Sequence, residues 1–174
     1  MTPLVGIRIA LVVFVVSILQ VSAFSGFTIG RGGPDVLLVT LVSIGLLRGS
    51  VTGAISGFAA GLIVDIATLG TLGVTSLLLT LAGYWAGRYG ETTGRGRVHA
   101  LLIATVVTTV LFELGSYGLH LLLGESIPAR PLLGAVLATL VCNALLAYPL
   151  YALIRKLVGT TDRTGRAREV ELFV

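Results

Sequence analysis

From Ile9 to Gly30 the chain runs through 22 residues without a charge, and five further apolar stretches follow. A helix needs roughly 20 apolar residues to cross about 30 Å of hydrocarbon. The later stretches are Val36 to Leu47, Gly49 to Val64, Ile66 to Gly87, Val98 to Gly124 with Glu113 as its one Asp, Glu, Lys or Arg, and Leu132 to Ile154. Only 11% of the 174 residues are charged and the mean hydropathy is +1.01. A soluble domain carries about 25% charged residues, so charge here is too sparse to cover a surface in water. The spacing predicts an all-α integral membrane protein, a bundle of six transmembrane helices over residues 5–25, 34–47, 49–65, 72–88, 98–123 and 131–156. These form one membrane domain, 1–158, followed by a polar cytoplasmic tail, 159–174. The second and third segments are short and read as a tight hairpin turning at Arg48-Gly49, where Arg can snorkel to the headgroups. Tilt or local bilayer thinning would accommodate them.

The cations give the orientation, because Lys and Arg in short loops are retained on the cytoplasmic side. With the N-terminus inside, that side receives Arg8, Arg48, Arg88, Arg95, Arg97, Arg155, Lys156, Arg163, Arg166 and Arg168. The outer side receives Arg31 and Arg130. Both termini are therefore expected in the cytoplasm. The pI of 9.7 does not point to nucleic acid, since the basic residues flank apolar segments. Arg8 followed by an apolar stretch and Val21-Ser22-Ala23 could also be read as a cleaved secretory signal. Against that, the stretch exceeds the roughly 7–15 residues of a signal core, and five more follow. The single Cys142 lies in an apolar run, which excludes a disulfide framework; it reads as a packing residue.

Gly49, Gly53, Gly57 and Gly61 recur every four residues and end at Asp65. On a helix this spacing leaves one face without side chains. Helix association in lipid depends on close backbone approach, which such a face permits. It reads as a helix-packing face, either within the bundle or toward a partner. A hairpin turn at residues 48–49 would place Arg31 opposite Asp65 at the outer surface; the alternative is that Asp65 caps its helix exit in water. Asp35, after Pro34, suits the positive end of the second helix.

Glu113 is a charge within a membrane segment, costing at least ~2.5–3.5 kcal/mol. It should face protein, be protonated or line a polar cavity. Ser116, Tyr117 and His120 share its helical face. If the last hairpin turns near Pro128, antiparallel neighbours have numbers totalling 256, which sets Glu113 opposite Asn143 as an interhelical hydrogen bond. A proton or substrate site is the alternative. His99 and His120 sit near opposite membrane faces and cannot share a metal. Tyr84, Trp85 and Tyr89 suit an interfacial anchor. Pro149 should kink or end the last helix unless neighbours re-satisfy the freed carbonyl. No catalytic triad, metal cluster, P-loop or carboxylate motif is evident, so no enzymatic activity, cofactor or metal is expected.

The ordered set Pro34-Asp35-Val36-Leu37-Leu38, Arg48, Gly53-x3-Gly57-Phe58-x2-Gly61-x3-Asp65, Leu72-Gly73 and Gly83-Tyr84 resembles the rod shape-determining MreD family. Asn143, Pro149 and Arg155-Lys156 extend the resemblance into the last helix. It implies a non-catalytic subunit of the bacterial cell-elongation complex in the cytoplasmic membrane. Its implied partners are an MreC-like protein, MreB and the RodA/penicillin-binding-protein synthase, with lipid around it, no nucleic acid and a homo-oligomer allowed. The resemblance also implies a fold similar to the substrate-binding subunits of energy-coupling-factor vitamin transporters. Such a transporter subunit is therefore the alternative function.

Overall fold

A computed structural model describes residues 3–24, 33–93, 98–124 and 132–159. Among these the chain is helical, with no strand. The helices are α1 (Pro3–Leu19, continued by a π-helical turn, Gln20–Phe24), α2 (Val36–Arg48), α3 (Ser50–Thr68), α4 (Val74–Thr93), α5 (Val98–Leu122) and α6 (Leu132–Val158).

Four of these helices, α1, α3, α5 and α6, are long and apolar enough to cross a membrane on their own. The expectation of six such helices is thereby corrected to four. The 13-residue α2 is apolar but, at about 20 Å, shorter than the hydrocarbon thickness. The 20-residue α4 is long enough, but its second half carries Tyr84, Trp85, Arg88, Tyr89 and Glu91 among glycines. Neither needs to be self-sufficient, since each is lined by other helices.

At the centre of the bundle is α2. Every residue from Leu37 to Leu47 is buried, and the helix touches all five others. A helix that is apolar all round is one that packs on all sides. By contrast, α1 buries only Ile9, Val13 and Ser17, one turn apart, and turns Leu4, Ile7, Leu11 and Phe14 outward. Outward-facing apolar residues recur on α3, α5 and α6, as expected where lipid is the solvent.

Between α2 and α3 the chain reverses at Gly49, whose φ of 97° falls where a side chain would be strained. From there α3 and α4 run antiparallel, backbone against backbone. A Cβ at Gly53 would collide with the Gly83 carbonyl, one at Gly57 with the Leu79 carbonyl, and one at Gly61 with Ser76 Cα. On α4, Gly83 and Gly87 meet Gly53 and the Gly49–Ser50 backbone in the same way. Gly45 of α2 joins the seam: its Cβ would lie 2.8 Å from the Gly83 carbonyl oxygen. Three helices thus meet through main chain alone, where lipid-exposed side chains could add no association energy.

Each helix of the α3–α4 pair caps the other. Asp65, 2% exposed, accepts hydrogen bonds from the amides of Gly73 (2.8 Å), Thr75 (3.2 Å) and Ser76 (3.3 Å) at the start of α4. Glu91 near the end of α4 accepts from the Ser50 amide (3.0 Å) and hydroxyl (3.2 Å) at the start of α3. Carboxylates at the positive ends of helices satisfy orphan amides and complement the helix dipole.

The seam makes a sign prediction. Gly57→Ala should destabilise the protein by roughly 1–3 kcal/mol, because the obstacle is a carbonyl that cannot rotate away. Gly118→Ala in α5, where a Cβ meets nothing within 4 Å, should be neutral or stabilising by up to about 1 kcal/mol. Thermal unfolding in one detergent compares the two. Equal effects would contradict the packing described.

Candidate functional site

Helix α2 begins inside the bundle. Its first amides have no partner within the helix and need acceptors from elsewhere. Three side chains from three elements supply the acceptors. Asp35, the N-cap, accepts from the Leu38 amide at 2.9 Å. Gln20, in the π-helical end of α1, accepts from the amides of Val36 (3.0 Å) and Leu37 (3.4 Å) and donates to the Pro34 carbonyl. Asn143 of α6, fully buried, accepts from the Asp35 amide at 2.8 Å. Its amide group then donates to the Thr109 hydroxyl of α5 at 3.1 Å.

Glu113 lies one turn along α5 from Thr109, half-buried, and is hydrogen-bonded by Thr139 of α6. Its carboxyl is close enough to that of Asp35 for the two to interact electrostatically. One polar cluster therefore joins α1, α2, α5 and α6 about 22 Å along α6 from Val158, at 1.5 Å per residue.

Asn143 and Glu113 both enter this cluster, but through other partners than each other. Asn143 pairs with Thr109 and Glu113 with Thr139, so facing residue numbers total 252 and not 256. The hairpin is one helical turn out of the expected register. Its turn, 125–131, lies outside the described residues, as does Arg31, so the Arg31–Asp65 pairing cannot be placed. Asp65 is instead occupied with the start of α4. Gly53, Gly57 and Gly61 face α4 of the same chain, and Gly49 forms the α2–α3 turn.

The other end of α2 is held as well. The Arg48 guanidinium donates to the Val158 carbonyl, the last of α6, a favourable place for a cation. Further out, Tyr84 and Trp85 stack edge to face with ring centroids 5.9 Å apart. A His120 ring nitrogen lies 2.7 Å from the Ser116 carbonyl, one turn back on the same helix. Pro149 does not end α6, which continues to Val158. No group of three or more His, Cys, Asp or Glu among the described residues could hold a metal.

Gln20, Thr109, Thr139 and Glu91 were not singled out from the sequence. Gln20 carried a usable signal, being an amide in an otherwise apolar run, and polar groups in such runs face protein. The threonines carried none, because a helical Thr can satisfy itself on its own backbone. On α4, Gly83 and Gly87 are four apart and complement the α3 ladder.

No curated protein and no solved structure matches the chain. The fold similarity to transporter substrate-binding subunits accordingly stays an implication of the sequence resemblance. The family of rod shape-determining protein MreD, however, matches residues 2–160, nearly the whole of the described bundle. With its apolar helices, the chain is a multi-pass membrane protein that belongs to the MreD family of rod shape-determining proteins.

Proposed function

We propose that the chain is a non-catalytic membrane subunit of the bacterial cell-elongation complex, binding an MreC-like partner by helix packing. The observation that carries this reading is the family match over residues 2–160. The disposition of polar groups is consistent with a scaffold. Asp35, Asp65 and Glu91 cap helices, and Asn143 and Gln20 hold the start of α2. These are structural engagements, which leaves few polar groups to converge on a transported molecule. Because α4 fills the glycine face from within the chain, a partner helix would meet the outward apolar faces, such as Val51, Ile55 and Phe58 of α3 with Phe14 of α1.

We further propose that both termini are cytoplasmic. The ten-to-two distribution of cations supports this orientation. The bundle's geometry favours a shared side for the two ends, whichever it is: Arg48, at the α2–α3 turn, reaches the last residue of α6, while the start of α1 lies beside the start of α3.

A periplasm-active reporter inserted after Gly70 should be active, and the same reporter at the C-terminus inactive. The reverse pattern would overturn the orientation. For the complex, the tagged chain purified in mild detergent from a rod-shaped host should retain an MreC-like protein, and its depletion should give rounded cells. Normal rods after depletion, with no such protein retained, would refute the scaffold reading.

A further inference from the structure

Helices α4 and α5 do not close along their whole length. At the outer end they meet where the Leu78 methyl lies against Gly115, 2.7 Å from where a Cβ would stand. From there toward the end of α4 an apolar crevice of about 400 Å³ opens between them. Its rims include Trp85 and Val107, 58% and 49% exposed, and its floor includes the buried Ala82, Ala86 and Ala104. A helix about 10 Å across cannot enter a crevice between two helices in contact, whereas a single hydrocarbon chain can.

The end of the crevice on the side of the termini is different in character. Trp85 and Tyr89 line it there, both amphipathic rings suited to the headgroup level. Arg88 follows Leu81 by seven residues and Trp85 by three, so it stands beyond the same rim. Its side chain is 59% exposed, and its ion pair with Glu91 is long, at 3.5 Å. The other oxygen of that carboxylate, Oε1, accepts from the Ser50 amide and hydroxyl, which anchors Glu91 toward α3. Of the five N–H donors of the guanidinium, the Glu91 contact draws on Nη1, and the others can be offered to an anion. On α5, His99 precedes the crevice residue Ile103 by one turn and is exposed.

An apolar slot for one chain, ending at an aromatic belt and an available guanidinium, has the chemistry of one molecule. We propose that the α4–α5 crevice binds an anionic glycerophospholipid from the leaflet on the side of the termini. One acyl chain lies between Leu81 and Val107, and the phosphate is held by Arg88. This inference does not depend on which protein the chain binds.

Trp85 is the only tryptophan and lines the crevice, so its fluorescence reports occupancy directly. The full chain is reconstituted in phosphatidylcholine vesicles containing increasing fractions of phosphatidylglycerol brominated on its acyl chains. Quenching should saturate at a low mole fraction, whereas brominated phosphatidylcholine should quench only in proportion to its amount. Arg88→Gln should weaken the preference for phosphatidylglycerol about fivefold, as for loss of one cation at a charged membrane surface. Val107→Phe, which narrows the slot from its exposed rim, should weaken the saturable quenching by phosphatidylglycerol. Thermal unfolding checks that both variants fold, and Ile103→Phe replaces Val107→Phe if that variant does not. Equal quenching by the two lipids, or an Arg88→Gln variant with unchanged preference, would overturn the proposal. So would a Trp85 that brominated lipid reaches in the isolated chain but not in the complex purified with its partners, since a protein would then cover the crevice.

Discussion

The first amides of a helix must find acceptors outside it, and the bundle is organised around how α2 does so. Asp35, Gln20 and Asn143 accept from four successive amides, those of Asp35 to Leu38. Each acceptor comes from a different part of the chain, so capping α2 also fixes α1 and α6 against it. Asn143 passes the connection on to α5 through Thr109. Four helices are thereby set to one depth by hydrogen bonds between side chains and the start of α2. A central helix as short as α2 is tolerable because its ends are tied to side chains at one end and, through Arg48, given to α6 at the other.

The remaining helices use a different device. In the absence of a hydrophobic drive between apolar helices in lipid, α3 and α4 gain contact by removing side chains from both partners. Gly53 and Gly83 face each other, and Gly45 brings α2 to the same point. The acids at the two ends of this pair, Asp65 and Glu91, lock the register that the glycines permit. Charged residues are thus spent on helix termini, where dipole and orphan amides both favour them, and are scarce on the outward faces. The crevice between α4 and α5 is the counter-example within the same fold: there the walls carry side chains and do not close.

Much of this was written in the sequence. Uncharged runs delimit the helices because a charge in hydrocarbon is expensive, and the Arg48-Gly49 turn is marked by a cation and a residue free to take positive φ. The glycine ladder announces a close-packed face, though not which helix fills it. That requires noticing that Gly83 and Gly87 on α4 repeat the spacing. The polar cluster was half legible. Glu113 and Asn143 stand out as polar groups in apolar runs, but their register depends on a turn whose length no local pattern fixes, and one helical turn of slippage replaces their mutual bond with Thr139 and Thr109. Asp65 has a role that the hairpin register does not disclose. Three amides at the start of the next helix need an acceptor, and Asp65 is the carboxylate that reaches them. The span count erred because segment length was judged by the absence of charge. Helix α2 is apolar since protein surrounds it, whereas α4 carries its tyrosines, Trp85 and Arg88 in its second half, with Tyr84, Trp85 and Arg88 exposed.

The central claim is that the first turn of α2 is sealed inside the bundle by side-chain acceptors. Amide hydrogen exchange resolved at Asp35, Val36, Leu37 and Leu38, in detergent or nanodiscs, tests it most directly. The account predicts that these four amides exchange as slowly as those in the middle of α2, although no preceding helical turn protects them. Exchange at the rate of open, solvated amides, with the rest of α2 protected, would contradict it.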